Sequence, residues 1–204
     1  DWFVALIRQY MENSPNAHST HFVWIGAIGE KELFFHGLHD LRQQGIIGHF
    51  HHLDQMEDVR LPIRHADIFL LCSRIDPFPS VVLESFLMGI PVIGFDKGQG
   101  CREMIRETGF GMIVPYLNLE RTVDAIDDLI ENPSKSQRVK DLGPSFIKEH
   151  FQYKDYVDNL AGWILNGKTL NKSAATWTDY SLTGKKIELL PPVLLMGFHR
   201  SGTS

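Results

Sequence analysis

Two carboxylates, Asp76 and Glu84, are separated by seven residues in the run Asp-Pro-Phe-Pro-Ser-Val-Val-Leu-Glu. The gap holds a proline-rich turn and the start of an apolar helix, with Ser80 read as the N-cap. This places Asp76 in the loop and Glu84 about one turn inside, both near a helix N-terminus. Free backbone N–H groups and the positive end of the helix dipole converge there, an arrangement suited to phosphate. An anion site flanked by hydrogen-bond acceptors matches a sugar nucleotide. The amides hold the diphosphate and the carboxylates accept protons from hydroxyls. Arg74 and Lys97 lie near enough in sequence to reach a diphosphate.

Such a pair must be positioned by a sheet, and the chain alternates helical and strand patterns along its first 114 residues. Helical spacing marks residues 1–12, 30–44 (closed by Gly45), 59–65, a helix opening at Ser80, and 101–107. Short apolar runs at 21–26, 48–53, 66–72, 91–95 and 111–114 read as strands, with 66–72 the clearest. This order predicts an α/β fold: a doubly wound parallel sheet with helices on both faces, its ligands bound beyond the strand C-termini. Beyond Pro115 the pattern turns helical. Asn118 caps a helix to residue 131 with Val123, Ile126, Leu129 and Ile130 inward, and two more helices span 134–150 and 153–165. Residues 168–190 are polar and aperiodic and read as a linker.

Composition excludes several classes. The formal charge of −5 from 20 basic and 25 acidic residues carries no nucleic-acid footprint. Cys72 and Cys101 follow no disulfide pattern, which points to a reducing, cytoplasmic setting. No apolar run reaches membrane-spanning length. The ten histidines, including His49, His51 and His52, are joined by no cysteine or carboxylate set at metal-ligand spacing, so no metal and no cofactor is expected.

The segment from Asp76 through Met-Gly-Ile-Pro-Val-Ile-Gly-Phe-Asp resembles the donor-binding motif of family-4 (group 1), GT-B-fold retaining glycosyltransferases. The resemblance implies that Glu84 holds the ribose hydroxyls of the nucleotide and that Asp76, where the family more often has Glu, faces the transferred sugar. It implies backbone contacts to the donor from Phe78, Pro79, Ser80, Val81 and Val82. Gly98-Gln99-Gly100-Cys101-Arg102-Glu103 resembles the family's Gly-Gly-x-x-Glu turn, which brings Glu103 to the donor, and the turn at Gly26 lies beside the nucleotide in that family. Residues 1–167 are then part of the Rossmann-like C-terminal half of a GT-B fold. The expected partners are a nucleotide-sugar donor, a glycan or other hydroxyl acceptor, and the N-terminal half of the fold. That half and the family's Arg/Lys pair would lie upstream, so the isolated fragment is expected to bind and not to transfer. A degenerate binding or scaffold module and a nucleotide-sugar epimerase of the same fold are the alternatives.

Residues 191–204 form a second motif. An apolar run ending at Gly197 leads into Phe-His-Arg-Ser-Gly-Thr-Ser, the layout of a phosphate cradle. It resembles the 5′-phosphosulfate-binding loop of sulfotransferases. By that resemblance Arg200 neutralises the 5′-phosphate of 3′-phosphoadenylyl sulfate, and Ser201, Gly202, Thr203 and Ser204 supply backbone and hydroxyl donors. The parent protein would then join a glycosyltransferase to a sulfotransferase.

Overall fold

All but one of the helices between strands in the computed structural model lay an apolar stripe against a parallel layer. The structure describes residues 2–27 and 31–166; the linker and the tail motif lie outside them. The helices are α1 (Trp2–Asn13), α2 (Lys31–Gln43), α3 (Arg60–Arg64), α4 (Ser80–Leu87), α5 (Arg102–Thr108), α6 (Leu119–Glu131), α7 (Pro133–His150) and α8 (Tyr153–Asn166). The strands are β1 (Phe22–Ile25), β2 (Phe50–Leu53), β3 (Phe69–Leu70), β4 (Val92–Phe95) and β5 (Gly111–Val114).

All strand pairs are parallel, in two sheets ordered β1-β2 and β3-β4-β5. Side-chain alternation divides the core between two faces. Phe22, Phe50, Ile93, Phe95 and Val114 pack with α1, α2 and α6. Val92 and Leu71 face the other way, against Val82 and Phe86 of α4, Met104 and Ile105 of α5, and Phe146 of α7. This two-faced burial explains why β3, β4 and β5 read as continuous apolar runs and not as alternating ones.

Four expectations need correction. The run 66–72 forms a ladder only at Phe69–Leu70, paired with β4. Residues 47–49, at the start of the second expected strand, form a 3-10 turn, so β2 begins at Phe50. Ser80 is the first helical residue of α4 and makes no cap, since Pro79, extended at φ −68° and ψ 118°, stands at the N-cap. Ile130 is exposed while Val123, Ile126 and Leu129 are buried; Ile130 follows Leu129 by about 100° around the helix and leaves the stripe. The cap at Asn118 is present, its side-chain oxygen accepting from the Arg121 N–H at 2.8 Å.

Candidate functional site

Three turns meet at the carboxyl edge of the β3-β4-β5 sheet, following β3, β4 and β5. The first two are stitched together. The Asp76 N–H donates to the Gly98 carbonyl at 2.7 Å, and the Gly100 N–H donates to the Asp76 carbonyl at 3.0 Å. This two-bond clamp holds residues 74–78 against 97–101 at backbone contact. A β-carbon on Gly98 would stand 2.0 Å from the Arg74 carbonyl oxygen, and one on Gly100 would stand 1.6 Å from that of Pro77. Gly98 also has φ +76°. Glycine at both positions follows from that approach.

Beneath the clamp lies a buried amide that the sequence reading did not single out. Gln99 accepts from the Phe95 N–H at 2.7 Å and donates to the Leu71 and Ser73 carbonyls, both at 2.9 Å. β3 and β4 pair normally up to the bond from the Leu71 N–H to the Ile93 carbonyl. Beyond that point the Gln99 amide occupies the place of the next ladder bond, and the strands diverge around it. The divergence opens the carboxyl edge. The available signal was a polar residue between two glycines just past a buried strand.

Asp76 and Glu103 each act electrostatically on the buried Cys101 thiol. Burial raises the Asp76 carboxyl above its ordinary range, against the lowering effect of the Phe78 N–H it accepts from. Glu103, in the first turn of α5, is paired with Arg102, whose guanidinium also donates to the Asp96 carbonyl at 3.0 Å. Glu84 sits half-buried in the second turn of α4. The guanidinium of Arg60, at the start of α3, feels its charge.

The remaining expected residues are distributed as follows. Ser80 is exposed at the first turn of α4, and no backbone bond occupies its N–H or that of Val81 among the described residues. The Val82 N–H already donates to the Pro79 carbonyl at 3.2 Å, and its side chain is fully buried. Pro79 has no N–H to offer. Phe78 turns inward and stacks on Phe151, with centroids 6.2 Å apart. The amides open to an anion are therefore those of residues 80 and 81, fewer than expected. Arg74 and Lys97 are exposed on the two clamped turns. Gly26 closes β1 at φ +115° and lies at the carboxyl edge of the other sheet. Arg200 to Ser204 lie outside the described residues.

Burial raises the Cys101 thiol to about 11 and the Cys72 thiol to about 12, so both remain protonated at neutral pH. In the folded chain at pH 8, iodoacetamide should alkylate either thiol at least ~100-fold more slowly than in denaturant, since the thiolate is the reacting form. Labelling followed by mass spectrometry measures this, and equal native and denatured rates would contradict it. Among the described residues, no group of three or more metal-ligating side chains is placed to hold a metal ion. No helix among them is long and apolar enough to cross a membrane.

Parallel strands with helices packed between them and helix N-termini beyond the strand ends define a doubly wound α/β domain. The chain belongs to the group 1 glycosyl transferases, whose family model matches residues 4–145. It is 24% identical over 137 residues to the lipopolysaccharide core biosynthesis glycosyltransferase LpsE of Rhizobium meliloti, covering 67% of this chain and 39% of that protein. It is 23% identical over 158 residues to the Vi polysaccharide biosynthesis protein VipC/TviE of Salmonella typhi, covering 76% and 26%. Among solved structures it is similar to Anabaena HepE in complex with UDP and glucose (TM-score 0.68, 18% identity, 79% of this chain and 44% of that one). It is also similar to WaaG, a glycosyltransferase involved in lipopolysaccharide biosynthesis (TM-score 0.61, 16% identity, 82% and 43%). The fold is thus the Rossmann-like one of GT-B glycosyltransferases. The chain spans 25% to 39% of the length of the curated relatives it matches.

Proposed function

We propose that the protein of which this chain is part transfers a sugar from a nucleotide-sugar donor to an acceptor hydroxyl during glycan assembly. Its residues 2–166 form the donor-holding domain. The observation that carries this reading is the clamp at the carboxyl edge. It ties the backbone of Asp76 to the turn that leads into α5, a few residues before Ser80 and Val81, whose N–H groups make no backbone bond among the described residues. Glu84 grips the ribose hydroxyls, Asp76 faces the sugar, and the α4 amides take the diphosphate. Retention at the anomeric carbon and transfer of a hexose are the finer parts of the proposal, as is a cytoplasmic setting, supported by two cysteines that form no disulfide. A sulfotransferase domain opening at residues 191–204 and binding 3′-phosphoadenylyl sulfate through Arg200 belongs to the same proposal.

The test uses the longer protein and UDP, the nucleotide held by HepE. A hydrogen bond to a charged group contributes about 1.5–3 kcal/mol, so Glu84→Ala should weaken nucleotide binding by roughly 10- to 100-fold. Asp76→Ala should leave nucleotide affinity near the parent value and slow sugar transfer. Calorimetry with UDP, and with the other nucleoside diphosphates in turn, reads the first effect, and product formation reads the second. Unchanged affinity of Glu84→Ala for every nucleotide the parent binds would overturn the assignment. Parent protein that binds nucleotide yet forms no product with any acceptor would favour a binding module instead.

A further inference from the structure

We propose that His21 and His51 form a metal site that takes one late first-row divalent ion, Cu(II) in preference to Ni(II) or Zn(II). The two imidazoles meet on the β1-β2 sheet, with His21 Nδ1 and His51 Nε2 3.0 Å apart. Both side chains are exposed. His21 immediately precedes β1, so the pair sits toward the amino end of the strands, opposite the carboxyl edge. Thirty residues separate the two histidines, which is why spacing in the sequence points to no metal.

Sheet register builds the pair. β1 and β2 run parallel, with Phe22 opposite Phe50 and Val23 opposite His51. Phe22 and Phe50 turn into the core, and alternation sends Val23 and His51 to the opposite, exposed face. His21 joins them from the residue before β1, and its ring stands between two others. His49 stacks on it with centroids 5.3 Å apart and planes inclined by 22°, and His51 meets it at 5.1 Å. His49 is itself fixed, its Nδ1–H donating to the Thr20 carbonyl at 2.8 Å. The facing nitrogens are therefore placed before an ion arrives, which reduces the ordering cost of binding.

The separation of the nitrogens selects the ion. Two nitrogens, each about 2.0–2.1 Å from one metal, stand about 2.9 Å apart at a right angle and about 3.3 Å apart at the tetrahedral angle. The observed 3.0 Å fits the right angle, the tetragonal preference of Cu(II) and Ni(II) and not the tetrahedral one of Zn(II). Cu(II) also stands highest in the affinity order of these ions. Mg(II) and Ca(II) take oxygen ligands and are excluded by an imidazole pair. Ligation requires no net loss of a proton from the neutral pair. The bridging N–H proton passes through solvent to the other nitrogen of its own ring, and both facing nitrogens then present lone pairs. No third ligating side chain completes the set among the described residues, so water fills the remaining positions. The bound ion would tie residue 21 to β2 across the sheet.

Calorimetry with copper(II) chloride on the longer protein, free of any histidine tag, tests this without reference to activity. His21→Ala and His51→Ala should each weaken Cu(II) binding at least ~10-fold, since even a partner that only orients a metal ligand is worth that much. Each substitution destroys the same chelate, so the double variant should bind no more weakly than either single one, whereas independent sites would add. Electron paramagnetic resonance of the Cu(II) protein should show two coupled imidazole nitrogens in the parent and at most one in each variant. His65→Ala, at an exposed histidine that ends α3, is the control and should bind as the parent does. Melting curves without metal confirm that the variants fold. Cu(II) affinity equal in the parent and both single variants overturns the proposal, and so do losses that add in the double variant. Binding of half an ion per chain with formation of a dimer would place ligation between two copies and overturn the single-chain site.

Discussion

Gln99→Leu should destabilise the domain by about 3–5 kcal/mol, because it strands two buried backbone groups and one part-buried one that each cost roughly 1–3 kcal/mol when unpaired. Those groups are the Phe95 N–H and the Leu71 and Ser73 carbonyls. Leucine approximates the volume of the glutamine, so the loss isolates hydrogen bonding from packing. For a domain of this size the melting temperature should fall by roughly 10 °C or more. Gln99→Glu gives a signature that simple loss of packing does not. Its carboxylate can accept from Phe95 but meets two carbonyl oxygens with no proton to offer. The folded state then holds that glutamate protonated, raising its pKa above the ordinary value. The variant should therefore be most stable below about pH 4, the ordinary glutamate range, and lose stability as pH rises through the raised folded-state value. Denaturant midpoints measured at several pH values provide the comparison, and a Gln99→Leu variant within ~1 kcal/mol of the parent would remove the amide from the account.

Gly100→Ala should cost about 2–4 kcal/mol, at or beyond the upper end of ordinary overpacking, because the clash is with backbone and not with a yielding side chain. The added methyl would lie 1.6 Å from the Pro77 carbonyl oxygen. The turns must separate, and the bonds linking Asp76 to Gly98 and Gly100 lengthen or break. Asp76 then leaves its place on the clamped turn, so nucleotide-sugar affinity should fall along with stability. Gly48→Ala is the matched control, since a methyl there meets nothing within 4 Å. Similar denaturation midpoints for the two variants would refute the close-approach explanation.

These two variants also mark where sequence reading stopped. The strand at Gly111–Val114 and the helix opened by Asn118 were legible because their signals are local: an apolar run, and a side chain capping three residues ahead. The places of Asp76 in the loop and Glu84 inside α4 were legible because the turn and the helix start lie within nine residues. Gln99 was not, since its partners Leu71 and Ser73 lie 28 and 26 residues away. Phe78 and Val82 were expected near the donor, yet their side chains went to the core. Apolar character by itself does not say which neighbour will cover a residue.

The sequence by itself determined the order of helices and strands, the two-faced burial of the β3-β4-β5 sheet and the placement of the acids near helix N-termini. Each of these follows from periodicity and from local backbone chemistry, which a short window contains. Only the tertiary structure decided which turns meet, which amides of α4 lack a backbone bond among the described residues, and that the strands form two sheets, β1-β2 and β3-β4-β5, on one core. Those outcomes depend on contacts between segments far apart in the chain, where register and close approach are set by how whole layers pack.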